Sequence, residues 1–280
     1  MNYTQILKKG EDFLKKSKIK NPNLDTELIL SKVINKKREE ILLNTNNKLK
    51  IKDIIKFKNY LLRRHQKEPI AYILGYKYFW KHKFLTNKSV LIPRPDTELI
   101  IEEALKYLPI DKSKKILDIG TGSGCIVISL LKERPNCSAT ALDISLKALN
   151  VAKTNAKLHH LENKINFINI DIDKYKSYNY DFIISNPPYI NSIDYNRLDD
   201  DIKFHEPKVA LSGGFDGMKD IKKVIIKSKK LLKINGKLIL EIGHKQKDKS
   251  IQILKKNGFY INKLSKDLSG KDRCVVSTRL

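Results

Sequence analysis

Apolar residues recur at helical spacing through the first 70 positions. Ile6, Leu7, Phe13 and Leu14 form one stripe, and Leu24, Leu28, Ile29, Val33 and Ile34 form a second. A third runs from Ile51 through Leu62, and Asn23 or Asp25 offers a cap for the second helix. No glycine lies between Gly10 and Gly75, which suits a small helical bundle over residues 1–71. From Tyr72 to Ile92 the pattern changes: Tyr72, Tyr76, Tyr78, Phe79, Trp80 and Phe84 cluster around Gly75, and Val90-Leu91-Ile92 follows. Aromatic and β-branched residues at this density predict a β-hairpin linker over 72–95. Pro93 and Pro95 then punctuate the chain, and Asp96 or Thr97 can cap a helix running through Leu99 to Leu108.

Beyond Lys114 strands and helices alternate. Strands are expected at Ile116–Ile119, Ala139–Leu142, Ile165–Ile170, Tyr180–Ser185 and Lys237–Ile242. The end differs: a helix over 250–257, then Phe259–Leu264 and Cys274–Thr278 as antiparallel strands. Such alternation predicts an α/β domain over 96–280, with a largely parallel sheet covered by helices on both faces.

Ligands of open α/β sheets bind beyond the carboxyl ends of the strands. Three features fall there. Gly120-Thr121-Gly122-Ser123-Gly124 joins the first strand to a helix, and its glycines let the backbone approach a ligand closely. No Gly-Lys-Ser/Thr follows, so it is not a nucleotide-phosphate loop. Asp143 ends the next strand, 23 residues after Gly120, where a carboxylate can accept both hydroxyls of a ribose. Asp171 ends the third strand, within reach of an adenine amino group. A dinucleotide site would want Gly-x-Gly-x-x-Gly; the spacing here is Gly-x-Gly-x-Gly and favours S-adenosylmethionine, which has no pyrophosphate to cradle. Either acid can instead be a plain helix cap.

The fourth strand delivers Asn186-Pro187-Pro188-Tyr189 to the same edge. The lone pair of an amide or aromatic amine is delocalised, so methylating it requires both N–H bonds to be gripped with the lone pair facing the methyl group. The Asn186 side-chain oxygen and the Pro187 carbonyl can each accept one N–H, and the two prolines stiffen the turn. Tyr189 offers a flat face for stacking. Catalysis would be orientation plus electrostatics, with no strong general base. The plain alternative, a Pro-Pro turn after a buried strand, does not account for the glycine turn and the two acids upstream.

Composition changes little. The net charge of +25 admits an anionic partner, and the first 90 residues carry more than half of the excess. Only eight of the 56 basic residues are Arg, and Lys, Asn and Ile abound everywhere, so the excess reads first as compositional. Cys125, Cys137 and Cys274 form no metal-type or redox-type pair, which suits a reducing cytosol, and no metal site is expected. No stretch approaches the ~20 apolar residues of a membrane span. Met1–Gln5 lacks the pattern of a signal peptide, so the expected location is cytoplasmic.

Further segments sharpen the picture: Glu68-Pro69-Ile70-Ala71-Tyr72-Ile73-Leu74-Gly75, Val90-Leu91-Ile92-Pro93-Arg94-Pro95-Asp96-Thr97-Glu98, Glu206-Pro207-Lys208-Val209-Ala210-Leu211, Gly214-Phe215-Asp216-Gly217, Leu240-Glu241-Ile242-Gly243 and Asp267-Leu268-Ser269-Gly270-Lys271-Asp272-Arg273. With the NPPY motif, they resemble the peptide chain release factor glutamine methyltransferase family (PrmC, also called HemK) among the class I S-adenosylmethionine-dependent methyltransferases. The resemblance covers residues 68–280 by motif and 1–67 by architecture. It implies a Rossmann-like, seven-stranded methyltransferase domain, a β-hairpin linker and a small N-terminal helical domain that helps grip the substrate. The substrate would be the Gln of the Gly-Gly-Gln motif in class 1 release factors, with no requirement for nucleic acid. Asn186 and Pro187 would hold the Gln amide, with Pro188 and Tyr189 packed beside it. Gly120, Thr121, Gly122, Gly124, Asp143, Asp171 and Asn186 would hold the cofactor.

Rival readings are a ribosomal-protein glutamine methyltransferase, a DNA or RNA amino-methyltransferase, and a non-catalytic binding module. The Pro93–Glu98 segment disfavours the first. The second needs room for a target-recognition region, and only 27 residues separate Tyr189 from Gly217. Intact NPPY, glycine turn and acids disfavour the third. One departure stands out: the family usually carries an acidic residue and a glycine around Phe79-Trp80.

Overall fold

The computed structural model describes all 280 residues, from Met1 to Leu280. The chain divides into two compact units: Met1–Tyr76 with Asp199–His205, and Lys77–Leu198 with Glu206–Leu280.

The first unit holds, before Tyr76, five helices: α1 (Tyr3–Lys16), α2 (Pro22–Ile34), α3 (Arg38–Leu43), α4 (Ile51–His65) and α5 (Ile70–Leu74). Asn2 caps α1 reciprocally: its side chain accepts from Gln5 N at 2.9 Å, and the Gln5 side chain accepts from Asn2 N at 3.1 Å. α2 starts earlier than its expected caps, with Pro22 in its first turn and Asn21 at the cap position. Asp25 is unavailable as a cap because Arg64 Nε donates to its carboxylate at 2.6 Å. Arg64 Nη1 also donates to the Glu68 carbonyl at 3.0 Å and to Asp201 at 2.7 Å. Arg64 and Asp25 are both buried, beside a core of Ile6, Leu14, Ile29, Leu30, Ile41, Phe57 and Leu61.

The second unit contains the hairpin β1 (Tyr76–Phe79) and β2 (His82–Leu85), then α6 (Glu98–Tyr107), β3 (Lys115–Ile119), α7 (Cys125–Glu133), β4 (Ser138–Asp143), α8 (Leu146–Leu158), β5 (Ile165–Asn169), β6 (Tyr180–Ser185) and α9 (Ser192–Asn196). After α10 (Asp200–Lys203), which belongs to the first unit, come α11 (Lys219–Leu231), β7 (Leu232–Glu241), α12 (Lys247–Lys256), β8 (Phe259–Lys266) and β9 (Asp272–Arg279). The hairpin is shorter than the aromatic cluster that predicted it. Tyr72 lies in α5, where its ring is buried. The hairpin turn places Trp80 at φ +53°, in the left-handed region where glycine is the easier residue. Two carboxylates hold it there: Glu98 accepts from Trp80 N at 2.7 Å and Glu133 from Trp80 Nε1 at 2.8 Å.

The large sheet has seven strands in the order β5-β4-β3-β6-β7-β9-β8, parallel throughout except that β9 runs antiparallel to both its neighbours. Successive residues point to opposite faces. Ile116, Ile184 and Ile239 enter one core with α6 and α7, while Leu117, Ile183, Leu238 and Leu240 enter the other with α11 and α12. β7 begins five residues before its expected start; the register shifts beside it, and Asn235 sits at φ +63°. No helix is long and apolar enough to cross a membrane, and no group of three or more metal-type side chains gathers. All three cysteines are buried and free.

Arg64→Ala removes the cation from the buried Asp25 carboxylate. We expect about 3–5 kcal/mol of destabilisation, the range for breaking one partner of a buried pair. Hydrogen exchange of the full chain should show lost protection in α1, α2 and α4, and adding Asp25→Asn should restore part of it. Unchanged protection in Arg64→Ala would refute the assignment.

Candidate active site

The carboxyl ends of β3, β4 and β6 meet because their registers align: Ile119 pairs with both Leu142 and Ser185. Beyond them opens a cavity of about 550 Å³, lined by the glycine turn, Asp143, Asp171, Asn186, Pro187 and Pro188 among others. Gly122 has φ +56°, and a Cβ there would meet nothing within 4 Å, so the bare backbone faces open space. Gly120 and Thr121 line the same space, each donating its N–H to the Leu142 carbonyl at 2.9 Å. Gly124 does not line it; it sits at the start of α7, packed against Ile128 and Ala152.

Two carboxylates, Asp118 buried and Asp143 half-buried, brace this turn. Asp143 accepts from Gly122 N at 2.9 Å through one oxygen and from Ser145 N at 2.8 Å through the other. Burial raises its pKa, and those backbone N–H groups oppose the rise. Asp118, 1% exposed, accepts the Thr121 hydroxyl at 2.7 Å, while its Oδ1 has no partner. Burial pushes Asp118 up to about 7. Asn155, fully buried on α8, donates to the carbonyls of Ser123 at 2.8 Å and Leu85 at 3.0 Å, tying the turn to β2.

β5 ends at Asn169, so Asp171 lies two residues past the strand. It caps a single 3₁₀ turn by accepting from Asp173 N at 2.8 Å, and Lys223 of α11 pairs with it at 2.6 Å. The ammonium is the largest influence holding Asp171 below the usual carboxylate range. Lys223 also lines the cavity.

The NPPY turn follows β6. Asn186 Nδ2 donates to Thr97 Oγ1 at 3.0 Å, and no protein donor reaches Asn186 Oδ1 or the Pro187 carbonyl. Thr97, an expected helix cap, stands at the start of α6 without making the capping bond; its hydroxyl is engaged by Asn186 instead. Tyr189 does not line the cavity. Its ring packs against the core under α11 and α12, and its hydroxyl donates to Glu241 at 3.2 Å. The turn is enclosed from behind: Gln246 Nε2 donates to the Tyr189 carbonyl at 2.9 Å and to the Gly217 carbonyl at 3.1 Å. A Cβ on Gly213 would lie 2.6 Å from the Pro188 carbonyl, so only glycine fits that approach. At the rim Glu206 accepts from Ile92 N at 3.1 Å and from Arg94 at 2.5 Å.

Two family models match this chain: the methyltransferase small domain over residues 97–199 and the PrmC N-terminal domain over residues 5–75. A release factor glutamine methyltransferase of Fusobacterium nucleatum is 36% identical, over 98% of this chain and 78% of that protein. The chain belongs to the release factor glutamine methyltransferase family. A bifunctional methyltransferase of Rickettsia felis is 37% identical over 97% of this chain, which spans 57% of that relative's length. In fold, the α/β unit resembles a methyltransferase from Pyrococcus furiosus, with a TM-score of 0.52, 17% identity, and coverage of 70% of this chain and 88% of that one. The Rossmann-like class I architecture is thus shared at low identity.

Family motifs acquire physical reasons here. The Gly214–Gly217 segment leads into the support behind the NPPY turn, and Glu206 ties together the rim. Lys223, Asn155 and Gln246 carry no motif-level signal for their contacts, because each acts through a partner distant in sequence, whereas Asp118 is engaged by Thr121 only three residues on. Asp118 alone was open to inference, as an acid one residue from the end of a buried strand. Folded Asp118 holds its proton more tightly than an unfolded aspartate does. Its contribution to stability is therefore fully present below pH 3.8 and is lost as pH rises through about 7. Across that window wild type should lose stability relative to Asp118→Asn, by about 1.4 kcal/mol per unit of pKa displacement. Denaturant unfolding at a series of pH values measures this; parallel curves for the two proteins would refute it.

Proposed function

We propose that this protein transfers a methyl group from S-adenosylmethionine to the side-chain amide nitrogen of the Gln in the Gly-Gly-Gln motif of class 1 peptide chain release factors, as a cytoplasmic enzyme. The observation that carries the reading is the pair of free acceptors, Asn186 Oδ1 and the Pro187 carbonyl, beside a cavity walled by an exposed glycine turn. A primary amide has two N–H donors, and two rigid neutral acceptors match them. Relatives named release factor glutamine methyltransferase supply the substrate.

The residues present fit the methyl donor. Backbone at Gly120 and Gly122 leaves space where a side chain would intrude, and Asp143 keeps lone pairs beyond those used by Gly122 and Ser145. Asp143 would face the ribose, Asp171 the adenine amino group, and the glycine turn the amino-acid portion. When bound, S-adenosylmethionine supplies an electrophilic methyl group on a sulfonium. Asn186 and Pro187 orient the acceptor amide by its two N–H bonds, turning the lone pair out of conjugation. Because both acceptors are neutral, they do not compete with the donor's positive charge as a carboxylate would. The prolines hold the acceptor carbonyl in place, so little reorganisation is needed. The surplus proton on the methylated nitrogen is acidic and leaves to water.

The test is label transfer from S-adenosylmethionine to a purified class 1 release factor, with ribosomal proteins and DNA in parallel. Label on the release factor alone, abolished by replacing its Gly-Gly-Gln glutamine, is the expected result. Label on a ribosomal protein or on DNA instead overturns the substrate assignment. Asn186→Ala should lower kcat by ~10²–10³-fold, as for loss of an oriented polar group in an active site, with donor affinity almost unchanged. Asp143→Ala leaves Gly122 N without its acceptor and should weaken donor binding about tenfold or more, equivalent to ~1.4 kcal/mol. Equal loss of donor affinity in both variants, measured by calorimetry, would refute this division of roles.

A further inference from the structure

We propose that Glu241 and Thr97 are positioning residues for the transfer: the Glu241 carboxylate takes the Thr97 hydroxyl hydrogen, which obliges Thr97 to accept from the Asn186 amide and holds Asn186 Oδ1 toward the substrate. This rests on the methyl-transfer reading above.

β7 neighbours β6 in the sheet and ends at Glu241, so Glu241 comes to lie beneath the turn that follows β6. It is 2% exposed, holds Tyr189 at one end of NPPY, and lies near Thr97, which engages Asn186 at the other. Tyr189 donates to Oε1 at 3.2 Å, and Asn186 Nδ2 donates to Thr97. Two unfilled valences lie next to each other. Glu241 Oε2 is buried without a donor. Thr97, 3% exposed, accepts from Asn186, and its own hydrogen meets no acceptor in full hydrogen-bond geometry. Yet Thr97 lies close enough to Glu241 to favour the carboxylate's charged form. Buried polar groups rarely stay unsatisfied, and these two satisfy each other with a small rotation.

The polarity matters because asparagine can turn over. An ionised carboxylate only accepts, so Thr97 must donate to it and can then only accept from Asn186. That leaves Asn186 showing NH₂ to Thr97 and oxygen to the cavity. If Glu241 is neutral, it can donate to Thr97, which then donates to Asn186. The Asn186 amide turns by half a revolution and presents NH₂ where the substrate N–H must be received. The groups facing Glu241 are Tyr189, Thr97, Arg273 and Asp96, and Cys274 is its partner across β9. Burial raises Glu241 to about 7, with Arg273 favouring the charge and Asp96 opposing it. The ionised fraction therefore changes across neutral pH, and kcat should rise with it. Asp118 titrates nearby, but at the cofactor turn, so kcat is read at saturating donor.

The experiment compares Glu241→Gln, Thr97→Val and Thr97→Ser in the full chain, with wild type first. In Glu241→Gln the amide oxygen accepts from Tyr189 and the NH₂ donates to Thr97, which fixes the wrong polarity. We expect kcat to fall about 100-fold, comparable to losing one oriented group. Its pH profile should flatten at the level that wild type reaches in acid, with donor affinity unchanged. Thr97→Val should be similarly slow, and Thr97→Ser should recover most of the loss. The side-chain amide NMR signal of Asn186, assigned by its disappearance in Asn186→Ala, should shift in Glu241→Gln whatever the acceptor. That shift without any transfer to the release factor by wild type would sustain the relay and sink the substrate assignment. Transfer by wild type with an unchanged Glu241→Gln rate and amide signal would overturn the relay alone. Loss of donor binding along with kcat, or a Thr97→Ser variant as slow as Thr97→Val, would also overturn it.

Discussion

The site depends on one register. Ile119 at the end of β3 lies beside Ser185 at the end of β6, and the Ser185 hydroxyl donates to the Ile119 carbonyl at 2.8 Å across that pair. The glycine turn follows one strand and the NPPY turn the other, so this alignment brings the cofactor wall and the two free acceptors together. A slip of one residue would reverse every side chain of β6. Phe182 and Ile184 would exchange faces with Ile183, and both cores would lose their fit. The apolar alternation that fixes the register therefore also fixes the geometry of the site.

Around that alignment the protein buries carboxylates rather than exposing them. Asp118 and Glu241 lie behind the cavity lining and Asp143 at it, and burial raises all three. Each is engaged by a group that needs to be held still: Thr121, the Gly122 N–H and Tyr189. In a poorly solvated setting such bonds are stronger, and the groups they orient lose little freedom on binding. Exposed pairs such as Lys8–Asp12 lie on helix surfaces, where solvent screening leaves them little weight.

The helical unit follows a different logic. Its centre is a buried cation, Arg64, shared by Asp25, the Glu68 carbonyl and Asp201. Asp201 reaches this cluster from the stretch Asp199–His205, more than 120 residues after the first helices end. That stretch separates the NPPY turn from the Glu206 segment in sequence. Trp80 shows the same kind of local adjustment. A residue unsuited to its backbone conformation is retained because Glu98 and Glu133 satisfy both of its N–H groups.

Sequence by itself determined the longer helices, the sheet strands and at which edge the chemistry gathers, but not the short helices α3, α5, α9 and α10. Helical and alternating periodicities, the glycine turn and NPPY are all local, and local patterns dictate local backbone. The five parallel strands and the antiparallel pair at the end were legible for that reason. What only the tertiary structure decided is the second layer of contacts. Asp171 meets Lys223, Asp143 holds the Gly122 N–H, Tyr189 turns inward to Glu241, and Thr97 serves Asn186 instead of capping α6. The partners in three of these pairs stand 52 to 89 residues apart in the chain for Asp171–Lys223, Tyr189–Glu241 and Thr97–Asn186. A polar side chain has several possible partners, and which one it takes depends on what the fold brings within 3 Å. No periodicity encodes that choice, because it is made only when the strands align and water is excluded.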